Sequence, residues 1–84
     1  MSTALFDSFR RLVASVLSVD PERIGADTRA EDVDGWDSIV HTLIIAEIEK
    51  TYAIVFPDEE IYVLPTVGAL FDRTRQLASS RPLK

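Results

Sequence analysis

The sequence contains no cysteine, so disulfide bonds and thiolate metal ligands are excluded and the core has to form by packing alone. It also lacks a long apolar run, since the stretch from Ile39 to Ile48 is interrupted by His41, Thr42 and Glu47. No basic segment followed by an apolar one stands at the N-terminus. These absences argue against a membrane-spanning helix and against a secretory signal.

The chain has 84 residues, which allows one domain, because chains this short bury only roughly 60% of the surface that their unfolded state exposes. A large enzyme fold is excluded. The apolar fraction of 46% and the mean hydropathy of +0.08 are typical of a globular chain and too high for a disordered one. We expect one domain over residues 1–84, with a core at about 4–78 and a flexible tail at 79–84. The initial methionine and the compact length favour a complete gene product.

Negative charge is concentrated in the middle of the chain. The net charge is −5, but residues 20–60 alone contain twelve acidic residues and three basic ones. Such a segment repels nucleic acid and anionic lipid surfaces and attracts basic protein surfaces. We therefore expect protein partners and neither a nucleic acid nor a membrane.

A first amphipathic helix is predicted near the N-terminus, with Ser2 or Thr3 as its cap. Its apolar residues recur at spacings of three and four, which places them on one face: Leu5, Phe6, Phe9, Leu12, Val13, Val16 and Leu17. Asp20 and Pro21 then predict a single helical turn. The residues that follow, up to Asp37, show no period and indicate a long acidic loop. We expect Ile24 and Val33 to anchor that loop to the core.

A second helix is predicted from Ser38 to about Tyr52 or Ala53, with Asp37 capping its first amides. The predicted inner face consists of Thr42, Ile44, Ile45, Ile48 and Tyr52. The β-branched residues make a strand the competing interpretation, but the length and the spacing of the charged residues favour a helix.

A short third helix is predicted to start at Pro57 and to end at Pro65. Thr66 then caps a fourth helix, whose inner face comprises Val67, Leu70, Phe71, Thr74 and Leu77. The predicted fold is all-α: a small four-helix bundle of three main helices and one short third helix, with a long loop between helices one and two.

The stretch Gly35-Trp36-Asp37-Ser38-Ile39 places a serine between the acidic loop and the start of a helix. Here the sequence resembles the acyl carrier protein family, whose motif is Asp-Ser-Leu or Asp-Ser-Ile at the start of the second helix. The resemblance extends over roughly residues 6–77 and includes three further stretches: Leu17 to Ile24, Ile48 to Glu60, and Thr66-Val67.

This resemblance implies a 4′-phosphopantetheine arm on Ser38, attached from coenzyme A by a phosphopantetheinyl transferase. It also implies a cytoplasmic, monomeric carrier of acyl thioesters that is not itself an enzyme. Its partners would be acyl-activating, acyltransferase or synthase enzymes. Two alternatives stay open: an aminoacyl or peptidyl carrier, and an unmodified acidic helical module in which Ser38 is only a helix cap.

Elementary electrostatics fits an anionic group at Ser38, because the first turn of a helix presents unpaired amides and the positive end of its dipole. Carriers of the fatty-acid type usually have several acids along the outer face of helix two. Here that face has Glu47 and Glu49 as its only acids. We therefore predict that partners contact Ile39, Val40 and Leu43, together with Glu47, and that the chain serves a dedicated lipid or polyketide-type pathway.

Other candidate sites have simpler explanations. His41 lies three residues after Ser38, but no nucleophile elbow is present, so a solvent-facing or partner-facing histidine is expected rather than a hydrolase. The acids around Gly35 lack carboxylates at the first and twelfth positions of a calcium loop, so we predict no metal site. Trp36 is expected in the core, and Arg73 and Arg75 on the solvated surface.

Overall fold

The computed structural model describes residues 3–79. It contains three α-helices: α1 (Thr3–Leu17), α2 (Ser38–Tyr52) and α3 (Val67–Ser79). Within residues 3–79 there is no β-strand, which confirms the all-α prediction. None of the helices in this range is long and apolar enough to cross a membrane. Ser2, one of the two predicted caps of α1, and residues 80–84 of the predicted tail lie outside the described residues.

The predicted short third helix is not confirmed as an α-helix. In its place is a single 3₁₀ turn, Asp58–Glu60, in which the N–H of Glu60 donates to the carbonyl of Pro57 over 2.9 Å. A further turn follows, and the N–H of Val63 donates to the carbonyl of Glu60 over 3.3 Å. Pro65 disfavours helical backbone at the residue before it, so the chain between the two prolines is too short for a stable α-helix.

The α-helices converge on one apolar core in which aromatic rings meet. Phe71 of α3 contacts Phe6 and Phe9 of α1, with ring centroids 5.2 and 5.3 Å apart. Phe9 also lies 6.1 Å from the ring of Tyr52 at the end of α2. Ile44 and other inner residues of α2 complete the core with no exposed surface. Leu5, which was predicted on the inner face of α1, is instead 52% exposed.

The segment between α1 and α2, residues 18–37, contains the predicted turn at Pro21–Arg23 and a second 3₁₀ turn, Ala30–Asp32. Ile24 is buried and Val33 packs at the edge of the core, so both anchor this segment as predicted. Its backbone also joins the start of α3, because the N–H of Gly68 donates to the carbonyl of Ala26 over 2.9 Å. A Cβ at position 68 would lie only 2.9 Å from that oxygen, so this close approach requires glycine.

Two helices end on left-handed residues that are not glycine. Ser18 after α1 has φ of 59°, and Ala53 after α2 has φ of 56°. The N–H of Val19 donates back to Ala14, and the N–H of Ile54 to Glu49, so both ends satisfy terminal carbonyls in the manner of a Schellman-type cap.

Candidate functional site

Ser38 is the first residue of α2, and its side chain lies on the surface. Asp37 precedes it in an extended conformation and caps the helix: its Oδ1 accepts the N–H of Val40 over 2.9 Å. The carbonyl of Asp37 accepts the N–H of His41 over 2.8 Å. The predicted helix start at Ser38 and the predicted cap at Asp37 both agree with this geometry.

The first turn of α2 has the features that an anionic group attached to Ser38 requires. By helix geometry, the N–H groups of Ser38 and Ile39 have no acceptor within the helix. The positive end of the helix dipole lies at the same place, so negative charge on the serine oxygen is favoured there. Since the side chain of Ser38 is exposed, a modifying enzyme can reach it. These residues therefore fit a phosphodiester.

The residues just before Ser38 turn through a glycine. Gly35 has φ of +88°, and a Cβ at this position would meet nothing within 4 Å, so the backbone conformation and not the available space requires glycine. After this turn Trp36 points inward, as predicted, and is only 8% exposed, whereas Asp37 and Ser38 face solvent.

His41 is buried and forms two hydrogen bonds, so the prediction of a solvent-facing or partner-facing histidine is wrong. Nε1–H of Trp36 donates to Nδ1 of His41 over 3.0 Å. Because Nδ1 is then an acceptor, the neutral ring carries its hydrogen on Nε2, which donates to the carbonyl of Ile61 over 2.6 Å. The signal in the sequence was a buried indole that needs an acceptor, with one histidine five residues away.

A second contact joins α2 to the segment around Ile61 and Tyr62, this time at the surface. The hydroxyl of Thr42 donates to the carbonyl of Ser38 over 3.0 Å, so the hydroxyl of Tyr62 is the donor in its 2.9 Å hydrogen bond with Thr42. The ring of Tyr62 packs against that of His41, with centroids 5.2 Å apart. Thr42 is therefore exposed and not on the inner face, contrary to prediction. Sequence reasoning did not single out Tyr62.

An ion pair joins the segment that follows Pro57 to α3. The Nε–H and an Nη–H of Arg73 donate to the two carboxylate oxygens of Glu60 over 2.6 and 3.0 Å. The hydrogen bond to Glu60 raises the pKa of the Arg73 guanidinium above its ordinary value. Arg73 was expected to be solvated, but it holds the 3₁₀ turn Asp58–Glu60 against α3. Arg75 lies over the ring of Phe71, at 5.7 Å from its centroid.

A pocket of about 420 Å³ opens beside Ser38. Its walls come from the N-terminus of α2, from the turn at residues 29–31 and from residues 62–65. Trp36, His41 and Tyr62 contribute rings to it, and Val63 contributes an aliphatic side chain. Arg29 and Glu31 lie at the same pocket, and their Nε and Oε2 atoms are 3.5 Å apart.

The predicted partner-contact residues do not all face outward equally. Ile39 is 73% exposed and Leu43 52%, and Glu47 is also exposed, so these three residues form one outer row at a spacing of four. Val40 is half-buried and packs against the core. Leu43 and Glu47 also line a groove of about 480 Å³ between α1 and α2.

The chain matches a protein family described as "Phosphopantetheine attachment site" over residues 7–73. It is 31% identical over 65 residues to an acyl carrier protein of Wolinella succinogenes, a match that covers 77% of this chain and 86% of that protein. It is 33% identical over 69 residues to an acyl carrier protein of Thermosynechococcus vestitus, covering 81% of this chain and 84% of that one.

Among solved structures, the mupirocin didomain ACP has the same fold, with a TM-score of 0.68 and 24% identity. That match covers 100% of this chain but only 45% of the didomain protein. The family match covers most of the described residues and includes the helix start at Ser38. The chain therefore belongs to the acyl carrier protein family, and its cofactor is a covalently attached 4′-phosphopantetheine.

Proposed function

We propose that Ser38 carries the 4′-phosphopantetheine arm and that the protein ferries acyl intermediates for a dedicated lipid or polyketide-type pathway. The observation that carries this proposal is the exposed side chain of Ser38 at the first position of α2, within the stretch that matches the family. When attached, the arm supplies a thiol that holds an acyl group as a thioester. The chain supplies display and recognition and catalyses no step itself.

Attachment needs a nucleophilic oxygen and no activation by this chain. A bond forms between Oγ of Ser38 and a phosphorus of the pyrophosphate in coenzyme A, while the P–O bond to the nucleotide half breaks. The hydroxyl proton passes to a base of the phosphopantetheinyl transferase, and adenosine 3′,5′-bisphosphate leaves. His41 does not act as this base, because both of its ring nitrogens are engaged in hydrogen bonds to Trp36 and Ile61.

Asp37 is a positioning residue in this proposal. Its side chain fixes the first turn of α2 through the N–H of Val40 and leaves the amides nearer to Ser38 for the attached phosphodiester. Since Asp37 is also exposed, its charge faces the approaching transferase and contributes to steering.

The mass of the intact protein tests the attachment. After incubation with coenzyme A and a broad-specificity phosphopantetheinyl transferase, the full chain should gain one phosphopantetheinyl group. Ser38→Ala should gain none, whereas Ser8→Ala, which alters another exposed serine, should be modified like the parent protein. No gain in the parent, or a gain that persists in Ser38→Ala, contradicts the proposal and favours the unmodified interaction module.

Partner contact is proposed to depend on the outer row of α2, namely Ile39, Leu43 and Glu47. Two of these side chains are apolar and largely exposed, and truncation of a residue that anchors an interface costs more than about 1 kcal/mol, or about fivefold in affinity. Leu43→Ala should therefore lower kcat/KM of the transferase at least about fivefold, whereas Glu47→Lys should change it by less than about threefold.

Val55→Ala provides the matched control, because Val55 is 77% exposed but lies outside this row. Reversal of Glu49 is not a clean test of charge, because its Oε2 accepts the N–H of Phe56 over 2.8 Å and thus supports the fold. If Glu47→Lys abolishes modification while Leu43→Ala leaves kcat/KM unchanged, recognition by charge replaces recognition by apolar contact.

A further inference from the structure

The surface beside Ser38 carries charges of both signs. Among the described residues that line the pocket there, Glu31 and Asp37 are anionic and Arg29 is the only cation. A phosphodiester on Ser38 adds a further negative charge next to these two carboxylates, and like charges repel. A neighbouring cation offsets this repulsion, and Arg29 is the one that these residues provide.

The guanidinium of Arg29 is only loosely engaged within the protein. Among the described residues it has one ion-pair partner, Glu31, whose Oε2 lies 3.5 Å from Nε, and both side chains are more than half exposed. A charge-assisted hydrogen bond is shorter, at about 2.7–2.9 Å, and exposed ion pairs contribute little to stability. A guanidinium is a planar fork of N–H donors that fits two phosphate oxygens, so a phosphodiester can displace Glu31.

The backbone fixes Arg29 at this position independently of its side chain. Its N–H donates to Oδ2 of Asp32 over 3.2 Å, and its carbonyl accepts the N–H of Asp32 over 2.9 Å. The preceding carbonyl, that of Thr28, accepts the N–H of Val67 over 2.9 Å and ties this turn to α3. Because these bonds involve the backbone, Arg29→Gln should keep the fold and change only what the guanidinium contacts.

We propose that Arg29 binds the phosphate of the arm: its guanidinium leaves Glu31 and pairs with the phosphodiester on Ser38. The inference rests on the proposed function of Ser38. The walls of the pocket include Ser38 but neither Ile39 nor Leu43. The pairing therefore holds the phosphate end of the arm beside the 3₁₀ turn and leaves the outer row of α2 free for partner proteins.

Spectra of the arginine side chains test this pairing. The full chain is compared before and after a broad-specificity transferase attaches the arm with its free thiol, in ¹H–¹⁵N spectra of the Nε–H groups and in ³¹P spectra of the phosphodiester. The Nε–H signal of Arg29 should shift when the arm is attached. That of Arg23 should stay in place, because Arg23 is an exposed arginine of the same segment that does not line the pocket.

Three variants separate the pairing from a structural role. The ³¹P signal should move in Arg29→Gln and should coincide with that of the parent protein in Arg23→Gln, the matched control. In Glu31→Gln the competing carboxylate is gone, so the shift of the Arg29 signal on attachment should be at least as large as in the parent. In 1 M NaCl this shift should shrink, because the charges are exposed and salt screens them.

Several results would overturn the inference. One is an Arg29 signal that does not respond to the arm, and another is a ³¹P signal that is the same in the parent protein and in Arg29→Gln. Equal shifts of Arg29 and Arg23 would also overturn it, because they would show a general effect of the added charge. A chain that gains no arm at Ser38 overturns this inference and the proposed function together, whereas an attached arm with an unchanged Arg29 overturns only the inference.

Discussion

The helical interior and the pocket beside Ser38 depend on different interactions. In the interior, apolar side chains of the three α-helices exclude water, and Phe71 joins α3 to α1 through two ring contacts. Around the pocket, polar groups twenty residues apart in sequence are paired: His41 with Ile61 and Thr42 with Tyr62. The interior thus supplies the stability of the helices, whereas the hydrogen bonds determine how the segment after Pro57 lies against α2.

Truncation of the interior should have the largest effect. Phe71→Ala removes a buried ring that contacts Phe6 and Phe9, and such truncations cost about 3–5 kcal/mol. Urea unfolding should show the loss in the free energy of unfolding. Ile39→Ala, at an exposed residue, is the control and should change stability by less than about 0.5 kcal/mol. A loss below about 1 kcal/mol in Phe71→Ala would show that the ring cluster is not the main source of stability.

The second-largest loss of stability should come from the contact between the segment at residues 18–37 and the start of α3. Gly68→Ala places a Cβ 2.9 Å from the carbonyl oxygen of Ala26 and strains the hydrogen bond there, at a cost of about 1–3 kcal/mol. Gly25→Ala is the matched control, because its Cβ would meet only Oγ1 of Thr28, at 3.9 Å. Thermal unfolding followed by circular dichroism measures both. Equal melting temperatures for the two variants would contradict the requirement for close approach at position 68.

Near Ser38, Trp36→Phe removes one polar group, the indole N–H. Nδ1 of His41 is then buried without a hydrogen-bond donor. An unsatisfied buried group costs about 1–3 kcal/mol. A double-mutant cycle with His41→Phe should give a coupling of about 1 kcal/mol between the two residues. Tyr62→Phe breaks an exposed hydrogen bond of the same segment and should cost less. Additive effects of Trp36→Phe and His41→Phe would rule out the coupling.

The smallest expected effect belongs to the ion pair between Arg73 of α3 and Glu60 in the segment after Pro57. Arg73→Lys loses the two-pronged contact with Glu60 and should lower the free energy of unfolding slightly in urea at low salt. The effect should shrink in 1 M NaCl, because the pair is only partly buried. Arg11→Lys, in a pair within α1, is the control. A larger loss in Arg11→Lys would show that the contact between Glu60 and α3 adds nothing beyond a local helix pair.

Most of the interior was predictable because its signals are local, although the same spacing rule placed Leu5 and Thr42 on inner faces and both are exposed. The spacing of apolar residues predicts α1 and α3. Asp37, a residue type that often caps helices, predicts the start of α2. Trp36 was likewise expected in the core on its size and apolar surface alone. Each of these predictions depends only on residues that are neighbours in the sequence or on the side chain itself.

The pocket was not predictable because its contacts join distant residues. Because no nucleophile elbow accompanies it, His41 was expected to face solvent or a partner. It bonds instead to the backbone carbonyl of Ile61, which no side-chain pattern reveals. The acids of Asp58–Glu60 suggested a helix start, whereas the role of Glu60 depends on Arg73, thirteen residues later. The attachment of the arm to Ser38 stays a prediction, and so do the partner contacts predicted for Ile39, Val40, Leu43 and Glu47.

The left-handed residues at the ends of α1 and α2, Ser18 and Ala53, are positions where substitution by glycine should raise the free energy of unfolding. A side chain in this conformation costs roughly 1–2 kcal/mol, which glycine avoids. Ser18 and Ala53 are both exposed and far along the chain from the attachment serine. Glycine at either position should therefore offset part of the stability lost to substitutions near Ser38, such as Trp36→Phe.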